Sequence, residues 1–350
     1  MLDADHFDLG DTLLQDEPSW INEDAVKAGK QGAGSKRFEK QTQEHRRIPV
    51  NEIDGETLLN LDFPEPEWIV RGMIPVGLTL LAGKPKGGKS LLMANLAIAM
   101  ATGGRSLNIP FEGPERVVMF ALEDSKRRLN DRFRKMIGDS GKGMSNILIR
   151  FEARRIGSGF EDDLQGVIER HKPRLVIIDT LAKVKPSSNG RKAAYDEDYG
   201  HGDAIKRIID QHEIGCVVVH HTRKMGAEDC FDTVSGTLGL TAAFDTLAVL
   251  QRRKDHSVLA VRGRDIEDTE LAIRLDGQYL TWQFLGNPAD VQVSTERQEI
   301  IRILKEEGGP LRPKSIADML GKRGDSTRHL LRKLLDAGVI TYTDHGYLLK

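Results

Sequence analysis

The stretch GKPKGGKS, residues 83–90, decides the fold of this chain. An apolar run, residues 78–82, enters it, and LLMANLAIAMA leaves it, so the pattern predicts a strand, a glycine loop and a helix. The spacing fits GxxxxGK(S/T), in which backbone N–H groups surround phosphates, the lysine neutralises the outer phosphates and the hydroxyl binds Mg²⁺. A helix N-terminus directed at the loop adds partial positive charge. We therefore expect a nucleoside triphosphate site here.

The loop and the first turn of its helix supply the expected nucleotide contacts. Lys89 is the phosphate lysine and Ser90 the magnesium ligand. The glycines are explained by close backbone approach or a positive φ, which a Cβ would hinder. A chance glycine turn before a core helix is the alternative, although both flanks match the nucleotide pattern. The full set of expected contacts is Gly83, Lys84, Pro85, Lys86, Gly87, Gly88, Lys89, Ser90 and Leu91.

Composition limits the other classes of function. The 350 residues carry a formal net charge of −2, so a DNA-binding surface would have to be a local patch. The two cysteines, Cys216 and Cys230, form neither a CxxC motif nor a disulfide framework. The N-terminus has no charged n-region followed by an apolar h-region, and no apolar stretch approaches 18 residues. We expect a cytoplasmic protein with no membrane partner.

Residues 1–47 have the composition of a flexible arm. Acidic residues open it without any Lys or Arg, and the segment turns basic toward Arg46 and Arg47. The arm is either a solvated tail or a segment that docks on a partner or a neighbouring subunit. A nucleotide-binding domain is then expected over residues 48–286.

Two apolar runs end abruptly in carboxylates. RVVMFALEDS closes on Glu123 and Asp124, and RLVIIDT closes on Asp179. Ligands of open α/β sheets bind at the carboxyl ends of parallel strands, so these side chains are expected near the phosphates. An aspartate at such a strand tip orients magnesium through water, and Asp179 therefore joins Ser90 as an expected metal residue.

The remaining pattern predicts the architecture. Strand and helix patterns alternate about five times, which favours a mostly parallel sheet with helices on both faces. IGCVVVHHTRK is typical of a buried strand and is closed by His220 and His221, and SVLAVRGRDIE and ELAIRLDGQYLTWQF alternate as hairpin strands do. The expected fold class is α/β.

Residues 294–350 change character after Asn287 and Pro288. Three helical patterns separated by turns and a closing hairpin predict a small winged helix-turn-helix domain. From residue 295 onward, eleven Lys/Arg against eight Asp/Glu give a net of +3. The basic residues near the expected recognition helix are suited to phosphate contact, but winged helices also serve as protein contact modules; these residues are Lys322, Arg323, Arg328, Arg332 and Lys333.

Over roughly residues 63–284 the chain resembles RecA-like P-loop ATPases of the plasmid RepA and DnaB replicative helicase kind, in the branch found on phages and other mobile elements. LAGKPKGGKS, FALED, LVIIDT, VVVHHTRK, SGTLGLTAAFDTLAVL and VRGRD carry the resemblance. It implies a RecA-like core with a winged helix commonly appended, ATP and Mg²⁺ as ligands, and a ring, expected to be hexameric.

The resemblance also implies catalytic roles. Glu123 would polarise the attacking water, with Asp124 as the rival that points to the opposite face. One histidine of the pair would sense the γ-phosphate, and His221 is favoured over His220, with a structural role at the strand end as the alternative. VRGRD resembles the element whose two basic residues reach the ATP of a neighbouring subunit, here Arg262 and Arg264. The family often has lysine first, so their division of labour is open, as is the alternative of two exposed arginines.

Single-stranded DNA and further copies of the chain are the partners this resemblance implies. The expected DNA contacts follow the Asp179 and His221 strands, at Lys183, Lys185, Arg191, Lys192, Arg223 and Lys224. Few aromatic residues lie among them, so the contact would be mainly electrostatic. Duplex DNA, a primase or another replication protein could bind the winged helix or the N-terminal arm. The first hypothesis is a ring helicase; the alternatives are an ATP-switched DNA-binding regulator and a recombinase-like ATPase.

Overall fold

The computed structural model describes residues 53–63, 65–138, 140–186, 194–223 and 227–350. The chain divides into two compact units, residues 1–65 and 66–350. In the first unit, helix α1 (Gly55–Leu59) is capped by Asp54, whose carboxylate accepts from the Thr57 N–H at 2.8 Å. The expected arm, residues 1–47, lies outside the described residues.

The second unit contains the remaining elements. Its first part comprises β1 (Trp68–Val70), β2 (Ile74–Pro75), β3 (Gly77–Gly83), α2 (Lys89–Thr102), β4 (Arg105–Ser106), β5 (Ile109–Pro110), β6 (Val117–Ala121), α3 (Lys126–Ile137), a 3₁₀ turn (Met144–Asn146) and β7 (Ile147–Arg150). Its middle part comprises α4 (Phe160–His171), β8 (Leu175–Asp179), α5 (Leu181–Val184), α6 (Ala194–His212), β9 (Gly215–His221), a 3₁₀ turn (Cys230–Thr233), α7 (Leu238–Ala242), β10 (Thr246–Arg252), β11 (Ser257–Gly263), β12 (Thr269–Leu275) and β13 (Trp282–Gly286).

A nine-stranded sheet organises this unit, in the order β13-β12-β11-β10-β3-β9-β8-β6-β7. Strands β10, β3, β9, β8, β6 and β7 run parallel to one another. Strands β11, β12 and β13 form an antiparallel meander on the β10 side of the sheet. The mostly parallel α/β sheet expected from the sequence is thus confirmed. The carboxyl ends of β3, β9, β8 and β6 meet at one edge, where the motifs lie.

Two helical layers bury the central strands. Alternate residues of β3, such as Leu80, face a core shared with Leu164 of α4 and Ile209 of α6. The other face, including Leu81, packs against Leu96 and its neighbours in α2. Because both faces are covered, β3, β6 and β8 are buried along their whole length.

The C-terminal elements are α8 (Pro288–Glu307), α9 (Pro313–Leu320), α10 (Gly324–Asp336) and the hairpin β14 (Ile340–Thr343) with β15 (Gly346–Leu349). They surround an apolar cluster of their own, which includes Ile300, Ile316 and Leu331. Three helices followed by a hairpin is the element order that the sequence predicts.

The first C-terminal helix starts earlier than its pattern suggests. Asn287 caps it by accepting from the Ala289 N–H at 2.9 Å, and Pro288 occupies the first turn. The expected break at Asn287 and Pro288 is therefore a helix start, because proline needs no N–H partner in that position. The expected domain start at residue 294 falls inside α8, and the boundaries of separate folding units remain predictions.

Candidate active site

The phosphate loop spans residues 84–88, between the end of β3 and the start of α2. Gly88 has φ +96°, and a Cβ there would lie 2.5 Å from Cζ2 of Trp282. A Cβ on Gly83 would lie 2.8 Å from the carbonyl oxygen of Leu250. The glycines are thus required by packing within the protein as well as by the backbone conformation of the loop.

Lys89 is buried at the mouth of the loop. Its side chain is 5% exposed, and Nζ donates to the carbonyl oxygens of Gly83 at 2.7 Å and Lys84 at 3.0 Å. Burial lowers the pKa of this ammonium, while the nearby carboxylates of Asp179 and Glu123 act in the opposite direction. Phosphate oxygens are charged acceptors and favour the protonated form more strongly than neutral carbonyls do. A triphosphate bound in the loop would therefore favour the protonated, positively charged form of Lys89.

The Asp179 carboxylate lies next to the hydroxyl of Ser90. Burial raises the pKa of Asp179, the hydrogen bond with the Ser90 side chain lowers it, and the carboxylate of Glu123 raises it further. Its buried Oδ1 atom has no hydrogen-bond partner among the residues that the structure describes. A hydroxyl beside a carboxylate with a spare oxygen fits Mg²⁺, which keeps several waters and takes its other ligands from phosphates.

The described residues contain no cluster of three or more His, Cys, Asp or Glu side chains suited to a metal ion. Ser90 and Asp179 together supply one hydroxyl and one carboxylate as candidate ligands. In phosphoryl-transfer sites, Mg²⁺ is commonly held by one or two such side chains together with waters and the phosphates of the substrate.

Glu123 and Asp124 have different surroundings. Strand β6 lies beside β8, and the Thr180 hydroxyl donates to Oε1 of Glu123 at 3.1 Å. Asp124 instead accepts from Nε of Arg128 at 2.6 Å and forms a second ion pair with Arg132. Asp124 is thus held in ion pairs with two arginines of helix α3, whereas Glu123 lies at the edge of the sheet next to Asp179.

The two histidines occupy opposite faces of β9. His220 lies beside Ala82 and His221 beside Gly83. Nε2 of His220 is 2.9 Å from the carbonyl oxygen of Ser235, and burial lowers the pKa of its imidazole. The His220 side chain therefore lies on the face of the sheet opposite His221. His221 lies on the same face as Gly83, the last residue of β3 before the phosphate loop.

The two arginines of VRGRD also differ. Arg262 pairs with Asp229 and Asp268, each at 2.8 Å, and its guanidinium lies 4.3 Å from the centroid of the Phe231 ring. The side chain of Arg264 is 63% exposed; it donates to the carbonyl oxygen of Ala242 at 3.1 Å and lies 3.6 Å from the Asp245 carboxylate. Arg262 is thus held on three sides, and Arg264 faces solvent.

The expected DNA contacts are only partly described. Arg191, Lys192 and Lys224 lie outside the described residues. Lys183 is exposed, Lys185 pairs with Asp198, and Arg223 donates to the carbonyl oxygens of Asp232 and Val234. Two of these basic side chains therefore have partners within the protein.

Sequence reasoning missed one support of the loop. The Trp282 N–H donates to Oδ1 of Asn95 at 2.7 Å, and Nδ2 of Asn95 donates to the Leu280 carbonyl at 3.1 Å. Nε1 of Trp282 donates to the Gly88 carbonyl at 3.3 Å. Strand β13 thus holds the start of α2 from nearly two hundred residues away along the chain. No local pattern around Trp282 indicates this contact.

Comparison with solved structures gives the fold. A structure described as "The Structure Of A DnaB-Like Replicative Helicase And Its Interactions With Primase" aligns with a TM-score of 0.52 at 13% identity, covering 68% of this chain and 67% of that one. A second structure, described as an ATPase domain, aligns with a TM-score of 0.47 at 12% identity, covering 60% of this chain and 85% of that one. The RecA-like fold expected from the sequence is confirmed by the first of these alignments.

No curated protein sequence matches the chain significantly. Among the described residues, no helix has the length and apolar character needed to cross a membrane. A family model described as "AAA domain" matches residues 44–227, a segment that contains the phosphate loop, Glu123, Asp179 and both histidines. The chain belongs to this AAA domain family and is a P-loop ATPase.

Proposed function

We propose that the protein is an ATP-driven DNA helicase that assembles as a ring, expected to be hexameric, and moves along single-stranded DNA during replication of a phage, plasmid or other mobile element. The position of Arg264 relative to the phosphate loop is the observation that carries this proposal. It supports a site completed by a second copy of the chain.

Arg264 lies at the sheet edge opposite its own loop. Its N–H donates to the Asp245 carbonyl at 3.1 Å, and the Asp245 N–H donates to the Leu78 carbonyl at 2.9 Å, near the start of β3. From Leu78 to Gly83 the strand rises about 3.3 Å per residue, or about 17 Å in total. An arginine side chain is far shorter than that. An exposed guanidinium so placed is available to the nucleotide of a neighbouring copy.

Within one subunit the other roles follow from the site. Lys89 would bind the β- and γ-phosphates, Ser90 and Asp179 would hold Mg²⁺, and Glu123 would orient the attacking water. His221, at the tip of β9, would sense whether the γ-phosphate is present. A guanidinium supplied by another subunit is worth about 10³ to 10⁵ in rate where it has been measured.

DNA contact is proposed on two surfaces. Lys183, Lys185 and Arg223 follow the tips of β8 and β9 and would contact a single strand electrostatically. Arg323, Arg328, Arg332 and Lys333 lie exposed on or before α10, where they suit duplex phosphates or an acidic partner. We also propose a primase or another replication protein as a partner of this domain or of the N-terminal arm. A solved structure of similar fold is described together with its interactions with primase.

An unwinding assay on a forked duplex tests the proposal, with the Lys89→Ala variant as the negative control. We expect ATP-dependent strand separation, ATPase stimulation by single-stranded oligonucleotides and a ring mass by native mass spectrometry in ATP. Stimulation only by a specific duplex, without unwinding, would contradict it and indicate a DNA-bound regulator. Open filaments in electron micrographs would instead indicate a recombinase-like ATPase.

A further inference from the structure

A buried carboxylate outside the nucleotide site joins two separate segments of the chain. Asp198, on helix α6, is 4% exposed. Its Oδ1 atom pairs with Nζ of Lys185. Its Oδ2 atom accepts from the Thr237 N–H at 2.9 Å and from the Thr237 hydroxyl at 3.0 Å. Both carboxylate oxygens are therefore in use, each by a different segment.

Each of these two segments lies downstream of a strand that ends at the nucleotide site. Lys185 follows strand β8, which ends at Asp179, and Thr237 lies downstream of strand β9, which ends at His221. Gly236 has φ +112°, and a Cβ there would lie 3.1 Å from Oδ2 of Asp198. The backbone before Thr237 thus approaches the carboxylate too closely for a larger residue to fit without displacement.

The same network reaches the tip of β9. The Ser235 N–H donates to the His221 carbonyl at 3.0 Å, and the Ser235 carbonyl lies 2.9 Å from Nε2 of His220. The carbonyl of Gly83, which holds Lys89, also accepts from the Thr222 N–H at 3.2 Å. A path of hydrogen bonds linked by short backbone segments therefore runs from Lys185 through Asp198 and residues 235–237 to Gly83, the last residue of β3 before the phosphate loop.

We propose that Asp198 is a positioning residue that couples DNA contact at Lys185 to the strand tip beside the nucleotide. This inference rests on the proposed function, because it assigns Lys185 to a DNA phosphate. A phosphate that draws Lys185 away leaves the Asp198 carboxylate with Thr237 as its remaining partner. A buried charge deprived of its counter-ion is strongly disfavoured, so the residues around it rearrange.

The physical basis of the coupling is that the half-buried Lys185–Asp198 ion pair has two arrangements. In one, Asp198 neutralises Lys185 and holds residues 235–237 beside His220. In the other, Lys185 binds DNA and the β9 tip is free to adopt the geometry that hydrolysis requires. Coupling between two binding sites is commonly worth about 5-fold to 150-fold in affinity or population.

The test compares Asp198→Asn with Asp203→Asn. Asp203 lies on the same helix, pairs with Arg207 at 3.0 Å and is 38% exposed, so it controls for loss of one charge from α6. ATPase rates are measured with and without a thymidine oligonucleotide, together with KM for ATP, oligonucleotide affinity by fluorescence anisotropy, and the melting temperature. Thr237→Val, which removes the hydroxyl contact alone, is the second variant.

We expect Asp198→Asn to lose about fivefold or more of the DNA stimulation, with its DNA-free rate and KM for ATP near those of the parent. Thr237→Val should lose less, in the same direction, and Asp203→Asn should behave as the parent. Equal stimulation of the parent and Asp198→Asn would overturn the coupling role while leaving the helicase proposal intact. A change in KM with stimulation retained would also overturn it, since that is the signature of a structural role.

Two further outcomes are decisive. If Asp198→Asn does not fold, the result for Thr237→Val decides, and unchanged stimulation in that variant overturns the inference. If DNA fails to stimulate the parent protein, the proposed function fails, and the coupling role fails with it.

Discussion

Nε1 of Trp282 donates a hydrogen bond to the carbonyl oxygen of Gly88, 3.3 Å away. Gly88 is the last residue before helix α2, and Trp282 is the first residue of strand β13. The antiparallel meander, which no motif assigns to catalysis, therefore supports the phosphate loop through the contact between Trp282 and Gly88. Trp282 is 7% exposed, so its ring also fills the space that the glycine leaves.

Replacing Trp282 should weaken both stability and nucleotide binding. Trp282→Ala removes a buried indole and should cost about 3–5 kcal/mol in the free energy of unfolding. Trp282→Phe keeps a ring and loses one hydrogen bond, which should cost about 1 kcal/mol plus a smaller packing term. Urea unfolding and titration with a fluorescent ATP analogue measure the two effects. Nucleotide affinity equal to that of the parent in Trp282→Ala would show that the loop does not need this support.

Substitutions at Lys89, Glu123 and Asp124 should separate binding from turnover. Lys89→Ala should abolish turnover and weaken ATP binding, because it removes the buried phosphate cation. Glu123→Gln should abolish turnover with ATP binding retained. Asp124→Asn is the matched control at the same strand tip: it loosens the ion pairs with Arg128 and Arg132, so it should lower the melting temperature and leave most of the turnover.

Steady-state ATPase rates and equilibrium ATP binding make this comparison. Normal hydrolysis by Lys89→Ala or Glu123→Gln would remove the present assignment of the site. Loss of turnover in Asp124→Asn, with Glu123→Gln active, would move the water-orienting role to Asp124.

Mixed rings should show that Arg264 acts in trans. Arg264→Ala alone should lose hydrolysis, since the guanidinium that stabilises charge on a neighbour's phosphoryl group is absent. Adding Lys89→Ala subunits, which keep Arg264, should restore part of the activity at interfaces where an intact loop meets an intact arginine. The rate is measured against mixing ratio, and a rate that stays at zero for every ratio would count against this placement.

The ion pairs of Arg262 predict a different result for that residue. Arg262→Ala leaves Asp229 and Asp268 without their shared guanidinium and uncovers Phe231. We expect faster limited proteolysis around residues 227–233 than in Arg264→Ala. Identical cleavage patterns in the two variants would indicate that Arg262 has no such structural role.

Stability should fall with acid through His220. Burial lowers the pKa of its imidazole, and the hydrogen bond with the Ser235 carbonyl acts in the opposite direction. Lys185 nearby lowers this pKa further, and the Asp198 carboxylate raises it. The unfolded chain, with a histidine pKa of about 6.5, therefore takes up a proton before the folded chain does. The free energy of unfolding should decrease as pH falls below that value, by at most about 1.4 kcal/mol per pH unit.

His220→Gln should flatten this dependence. Urea unfolding between about pH 7.5 and 5.5 compares the parent, His220→Gln and His345→Gln, an exposed residue of the C-terminal hairpin used as control. Subtracting the curves cancels contributions from the carboxyl groups. A slope that is unchanged in His220→Gln would show that the pKa of this imidazole is the same in the folded and the unfolded chain.

The sequence by itself determined the α/β core and the chemistry at its edge. The phosphate loop, the carboxylates that close β6 and β8 and the histidines that close β9 are local patterns, because strand period and turn chemistry act over a few residues. The parallel order of the strands then places their tips together. The sequence also indicated the three C-terminal helices and their hairpin, although it placed the first helix start too late.

Tertiary structure alone decided which of the candidate side chains are free to act. Asp124 is bound by two arginines, Arg262 is held by two carboxylates, and Lys185 is paired with Asp198, whereas Glu123 and Arg264 are exposed at their edges. The support of Gly88 by Trp282 likewise joins distant parts of the chain. The pairing of Arg262 with Asp229 and the support of Gly88 depend on which surfaces packing brings into contact, and residue spacing carries no information about contacts between segments so far apart.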